Sequence, residues 1–276
     1  MGKIALYTFF GDNFFEYGFT MLYSFLTNNQ WFKGDIYILS DNGENCSLSD
    51  EKIKILQKLY SKISRYQVNI DEYKGIFSNL SNMNRKEFRA SFYKFEMFKK
   101  DEYDFKYYID ADTCFNGSVE GLFSEEAKKY PVFMCKDNVS SDYFSEELTE
   151  KTDEDYANLG FLLLNGAFLH DDDFSKLVDR CEKIKPGTFK NRHTFNGVCG
   201  DQDCINEFVK DAVLLPALVY DGFTGRITTE NIDKVKTFHF YGNGLKPWDC
   251  RTEYPAFFVW YRYYFLAMQK LKEITA

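Results

Sequence analysis

Four aspartate pairs in the chain share the spacing D-x-D: Asp110/Asp112, Asp153/Asp155, Asp171/Asp173 and Asp201/Asp203. Two hard oxygen donors held close together can seat a divalent cation. Spacing alone does not choose among the four, but context does. Only Asp110/Asp112 stands directly behind a hydrophobic run, Tyr107-Tyr108-Ile109. Side chains alternate along a strand, so both acids project to one side at its carboxyl end, where open α/β sheets bind ligands. A solvated turn closing a strand would carry the same two acids. The Asp171-Asp172-Asp173 run reads as first-turn helix charge favoured by the helix dipole.

A third ligand is sought among three histidines. His193 lies in a polar loop and His170 beside acids, whereas His239 ends an apolar strand just before a glycine-containing loop and Lys246. An imidazole joined to two carboxylates favours manganese over magnesium, whose sites are usually all oxygen. A packed core histidine would look the same in sequence. Lys246, near such an ion, can neutralise the non-bridging oxygens of a diphosphate. A lone loop lysine is ordinarily just solvated.

Composition narrows the function classes. With 276 residues, 45% hydrophobic and 19% aromatic, the chain has ample core and is not disordered. A net charge of -8 and a pI near 5.1 give no basic footprint for a nucleic-acid backbone, so nucleic acid is not expected as a partner. Seven cysteines without a C-x-x-C pair predict reduced thiols and a cytoplasmic protein. No signal peptide is read at Met1-Gly2-Lys3. The longest apolar-aromatic stretch, 256–268, falls short of the roughly 20 residues that span a membrane and contains Arg262.

The elements that must position these groups alternate. Ile4 to Phe10 reads as a strand, Glu16 to Leu26 as a helix and Ile36 to Leu39 as a second strand, the opening of a parallel α/β fold. A helix capped at Ser49 or Asp50 follows, then a strand within 65–70 and a loop over 71–84. Phe88, Phe92, Phe95 and Phe98 predict an amphipathic helix over 85–100 that leads into the Asp110 strand. Further strands are read at 130–135, 158–165, 213–216 and 236–240, and helices at 171–185, 201–210 and 254–272. No repeat or linker divides the chain.

Taken together, four blocks carry a resemblance: Tyr-Ile-Asp-Ala-Asp-Thr at 108–113, Asn-Leu-Gly-Phe-Leu-Leu-Leu-Asn at 158–165, Gly-Asp-Gln-Asp at 200–203, and His-Phe-Tyr-Gly-Asn-Gly-Leu-Lys-Pro-Trp at 239–248. In this order they resemble glycosyltransferase family 8, which includes glycogenin and bacterial galactosyl- and glucosyltransferases of surface glycans. The resemblance runs from the first strand to about Trp248. It implies the GT-A fold, a single Rossmann-like α/β domain over 1–250 with a mostly parallel sheet, and a C-terminal helical extension, 251–276, packed on it. It implies retaining transfer of glucose or galactose from a UDP-sugar to a glycan, lipid-linked or protein acceptor. Asp110, Asp112 and His239 would hold Mn2+, with Mg2+ as the alternative ion, and Lys246 and Gly242 would contact the diphosphate. Thr8, Asn13 and Phe14 would meet the uridine, Lys94 and Ala111 would face the nucleotide, and Asp137, Asn158, Asp201 and Gln202 would line the donor sugar. Gln202 would face the anomeric carbon, where a retaining hydrolase places a carboxylate nucleophile.

Three departures stand out. Lys246 follows His239 by seven positions where the family has six, which puts the register of the loop in question. Phe14 replaces a common tyrosine, keeping a stacking face without the hydroxyl. Leu159 replaces a small residue, with a narrowed sugar pocket as the expected consequence. Two other classes compete. A haloacid-dehalogenase-type phosphatase also has D-x-D after a strand, but wants threonine or valine where Cys114 stands. A catalytically silent sugar- or partner-binding module would keep the fold without the intact polar set. The aromatic helix from Tyr254 either caps the core or docks on the inner face of a membrane or a second subunit.

Overall fold

The computed structural model describes residues 2–41, 43, 46–79, 89–138, 143–152, 155–183, 200–242, 245–249 and 253–276. The chain opens as the hydrophobic pattern predicts, with β1 (Ile4–Thr8), α1 (Phe15–Asn28), β2 (Asp35–Ser40), α2 (Asp50–Leu59) and β3 (Ile63–Gln67). Every residue of β1 is buried, as befits a central strand covered on both faces. Asp50 and Glu51 occupy the first turn of α2, where the helix dipole favours negative charge.

Two expectations fail in the next stretch. The loop expected from Asp71 is helical as far as it is described: Ile70–Tyr73 forms a 3-10 turn and Lys74–Asn79 a short helix, α3. Asn69 caps the turn by accepting a hydrogen bond from the Asp71 N–H at 3.3 Å, and Tyr73 and Ile76 turn into the core. Residues 80–84 of that loop and 85–88 of the predicted amphipathic helix lie outside the described residues. Ser91–Phe98 is a run of 3-10 turns, not the α-helix expected. Phe92, Phe95 and Phe98 recur every third residue, which matches three residues per turn better than 3.6. The segment is buried on all sides from Phe92 to Phe98, so it has no solvated face.

The rest of the chain supplies β4 (Phe105–Ile109), β5 (Thr113–Phe115), β6 (Val132–Lys136), β7 (Thr149–Glu150), β8 (Ala157–Asn165), α4 (Asp173–Lys183), α5 (Asp201–Phe208), β9 (Ala212–Leu215), α6 (Ala217–Tyr220), β10 (Gly222–Phe223), β11 (Thr237–His239) and α7 (Pro255–Thr275). Eight strands make the main sheet in the order β3-β2-β1-β4-β8-β6-β9-β7. It is parallel from β3 to β4, while β8 runs against both β4 and β6. The strand order reverses at β1, with β2 on one side and β4 on the other, so the carboxyl ends of β1 and β4 border a switch point suited to a ligand. A smaller sheet, β10-β11-β5, sits beside it.

The apolar residues form a cluster on each face of the main sheet and a third between the small sheet and α7. Ala256, Phe257, Trp260, Tyr263 and Ala267 give α7 a buried stripe at helical spacing. Tyr263 Oη lies 2.8 Å from Asn28 Nδ2, which donates to it, fixing α7 beside α1. The opposite side leaves Phe258 and Phe265 exposed. Among the described residues no helix is long and apolar enough to cross a membrane. Trp260 also stacks at 4.7 Å on Tyr264 and touches Trp248 at 5.5 Å. Trp260→Ala is expected to cost about 3–5 kcal/mol of folding stability, read as a lowered midpoint in denaturant.

The thiol expectation is also corrected. Cys181 on α4 and Cys204 on α5 form a disulfide across neighbouring helices, 23 residues apart in sequence. A C-x-x-C search cannot register such a pair, because tertiary packing, not local spacing, brings the two sulfurs together. Cys46, Cys114 and Cys135 are free and buried, and Cys199 and Cys250 lie outside the described residues.

Candidate metal and donor site

Asp110 follows the last residue of β4, and the turn after it returns the chain as β5. Antiparallel pairing of β5 with β11 sets Thr113 opposite His239, and the Phe240 N–H donates to the Asp112 carbonyl at 2.9 Å. A strand far along the chain is thereby laid against the acidic turn. His239 Nε2 stands 3.3 Å from Asp112 Oδ1 and 3.6 Å from Asp110 Oδ2. One ligand atom from each residue falls within a common 4.8 Å.

Other groups fix this cluster. Tyr108 donates its hydroxyl to Asp110. Lys246 donates to Asp112 Oδ2 at 2.6 Å, so the additional loop residue does not carry the lysine away from the acids. Gly242, at φ +89°, turns the loop through the left-handed region that glycine enters without penalty. Asn243 and Gly244 lie outside the described residues. Gly160 on β8 matters for another reason: a Cβ there would lie 2.0 Å from His239 Cε1. Only a glycine leaves room for the ring against that strand.

The electrostatics follow from crowding. Burial raises the Asp110 carboxyl, and the neighbouring Asp112 charge adds to this against the pull of Lys94. Burial would also raise Asp112, but His239 and Lys246 outweigh it and hold that carboxyl below the usual range. Burial would lower His239, yet Asp221 and Asp112 overcome it and push the imidazole up to about 10. A ligating imidazole must be neutral, so an incoming cation takes the place of that proton. The buried Nε2 makes no hydrogen bond and lies within 3.6 Å of a carboxylate oxygen from each acid, so two oxygens and one imidazole nitrogen face a common point. The donor set therefore fits a divalent ion.

A second cluster adjoins the first. Lys94, buried in the 3-10 segment, pairs with Asp201 Oδ2 at 2.7 Å and donates to the Leu159 carbonyl at 3.3 Å. Burial would lower its ammonium, but Asp201 and Asp110 raise it above the ordinary value. Ser91 donates to the other Asp201 oxygen at 2.8 Å. Gln202 Oε1 accepts the Leu159 N–H at 3.3 Å, and Asn158 Oδ1 accepts the Gly160 N–H at 2.8 Å. The bend of β8 next to His239 is thus tied to the start of α5.

Comparison with known proteins decides the family. The model of glycosyl transferase family 8 matches residues 6–252. The chain belongs to that family. The family 8 chain is similar in fold to the galactosyltransferase LgtC, solved with donor and acceptor sugar analogs, at 16% identity and TM-score 0.66 over 96% of this chain and 95% of that one. It is similar to the glycosyltransferase GlyE of Streptococcus pneumoniae TIGR4 at 15% identity and TM-score 0.66, covering 99% of this chain but 63% of that one. The bifunctional glycosyltransferase WbbM matches at 14% identity and TM-score 0.62, with 52% of its length covered. No curated protein sequence matches. The architecture is accordingly the GT-A fold, with its large, mostly parallel sheet.

Within the family 8 chain the remaining expected site residues sit on several elements. Ala111 is buried between the two acids, and Asp137 is buried just after β6. Thr8 ends β1 with a buried hydroxyl that makes no hydrogen bond. Asn13 and Phe14 form the turn that follows, and Phe14 meets the Trp248 ring edge-on at 5.3 Å. Trp248 is in turn stacked at 4.2 Å on Tyr17, so these rings brace the loop that carries Lys246. Thr8 and Asn13 make no hydrogen bond to the triad. The Leu159 side chain is wholly buried in the core, while its carbonyl accepts from Lys94 and its N–H donates to Gln202. Sequence reasoning missed Asp221, whose Oδ1 lies 2.8 Å from His239 Nδ1. In sequence it is part of an Asp-Gly dipeptide, a plain turn signal.

Proposed function

We propose that the chain is a retaining hexosyltransferase that moves glucose or galactose from a UDP-sugar to a hydroxyl of a glycan, lipid-linked or protein acceptor. The observation that carries this reading is the convergence of His239 Nε2 on Asp110 and Asp112 with Lys246 beside them. Asp110, Asp112 and His239 would hold manganese, and the ion would neutralise diphosphate oxygens as they gain charge. Lys246 leaves Asp112 for the diphosphate and meets the same developing charge. Thr8, Asn13 and Phe14 seat the uridine. Asp137, Asn158, Asp201 and Gln202 surround the hexose, and the Lys94–Asp201 pair holds the start of α5 in place.

In the transfer step the bond from the anomeric carbon to the β-phosphate oxygen breaks, and its electron pair leaves with UDP. The acceptor oxygen bonds to the same carbon from the same face, and its proton passes to the leaving phosphate. Gln202 is neutral and faces that carbon, so it orients the sugar and is not a strong nucleophile.

The test is a screen of UDP-hexoses for hydrolysis and transfer with manganese, with magnesium and with chelator. One UDP-hexose turned over with manganese and silent in chelator is the expected result; no turnover of any nucleotide sugar would remove the proposal. Lys246→Ala should lower kcat by about 10²–10³, the usual cost of removing one donor from a developing anion. Steady-state kinetics at saturating manganese measures it.

A further inference from the structure

His239, the late-arriving ligand of the triad, is itself gripped from behind. Asp221 ends α6, its N–H donating to the Ala217 carbonyl at 2.9 Å, and it directly precedes β10. Parallel pairing of β10 with β11 sets Gly222 beside Phe238 and Phe223 beside His239. That register brings Asp221 Oδ1 to 2.8 Å from His239 Nδ1, on the side of the ring away from the Asp110/Asp112 pair. The aspartate is only 2% exposed, and among the described residues this is the one ion pair it makes. Gly160 lies against the ring, and the Tyr241 ring stands 4.4 Å from it.

We propose that Asp221 is a positioning residue for the cation, fixing which imidazole nitrogen binds it. This rests on the metal reading given under Proposed function. A carboxylate only accepts, so Nδ1 must carry the proton that it donates to Asp221. The lone pair of the neutral ring then sits on Nε2, aimed between Asp110 and Asp112. A carboxylate buried with no other ion pair among the described residues is costly unless positive charge reaches it, and a bound ion supplies that charge through the ring. Asp221 thus couples the small sheet to the site: shift β10 against β11, and Nε2 loses its aim.

The experiment is a titration of the full chain with Mn2+ alone, without donor sugar, following the electron paramagnetic resonance signal of unbound ion. Wild type, Asp112→Ala, Asp221→Asn, His239→Ala and the Asp221→Asn/His239→Ala pair are compared. The asparagine keeps the size of the aspartate side chain and removes its charge. Asp221→Asn is expected to weaken binding by about 10–100-fold, the usual range for such supporting partners of a ligating histidine. In the His239→Ala background, where the two carboxylates bind alone, the same change should add nothing. Asp112-dependent binding that Asp221→Asn leaves unchanged would overturn this inference alone. An equal loss in both backgrounds would also overturn it, since a positioning role requires the ring. Wild type that binds no Mn2+ through Asp112 would overturn the metal reading and this inference with it. Should Asp221→Asn fail to show a cooperative thermal transition in chelator, Asp221→Ser carries the same comparison.

Discussion

Asp112→Ala is expected to lower kcat/KM for a UDP-hexose by about 10³-fold or more, without recovery at higher manganese. Asp112 is the point where the groups of the site meet: Oδ1 faces His239 Nε2 at 3.3 Å and Oδ2 holds Lys246 at 2.6 Å. On the proposed metal reading its removal takes away a ligand, and it leaves Lys246 without its resting partner. An ion in such a site contributes several kcal/mol to the stabilisation of developing charge, and each 1.36 kcal/mol is a factor of ten in rate. Folding should survive, because Asp112 lies in a turn and its side chain is not part of the apolar core. Initial rates beside a thermal unfolding curve in chelator separate the two effects. Near-wild-type turnover by a folded Asp112→Ala protein would remove Asp112 from the metal site.

Gly160→Ala should abolish high-affinity manganese binding although it alters no ligand. Its Cβ would meet His239 Cε1 at 2.0 Å and Nδ1 at 2.4 Å, closer than atoms can approach. The ring cannot simply slide away, since Asp221 holds Nδ1 and β11 is hydrogen-bonded to β5. Either the ring tilts out of line with the carboxylates or β8 shifts against β4. Overpacking of this kind costs about 1–3 kcal/mol of stability. Manganese titration and denaturant unfolding of Gly160→Ala should both change, and wild-type manganese affinity in this variant would show that the ring does not need its place on β8.

Much of this was legible in the sequence where one local signal decides one element. The buried run Tyr107-Tyr108-Ile109 marks β4, and the acids behind it mark the site. His239 and Lys246 could be singled out only by their residue types and the order of the blocks. That they meet the acids depends on β5 and β11, strands of three residues each, too short for alternation to show. Asp221 left no trace because its role lies in the register of β10 on β11, a tertiary fact. The 3-10 run at Ser91–Phe98 was misread because phenylalanines three apart satisfy a helical stripe as well as a tighter turn. Lys94 and Glu96 are buried there, where an amphipathic helix would have put them in water, and only tertiary packing shows it.

The most direct test of the central claim is a crystal of the chain grown with Mn2+ and UDP, with anomalous scattering recorded at the manganese edge. One peak is expected, bound by Asp110, Asp112 and His239 Nε2 and touching the diphosphate, with Lys246 moved from Asp112 to a phosphate oxygen. UDP seated without such a peak, or manganese held by other residues, would contradict the account.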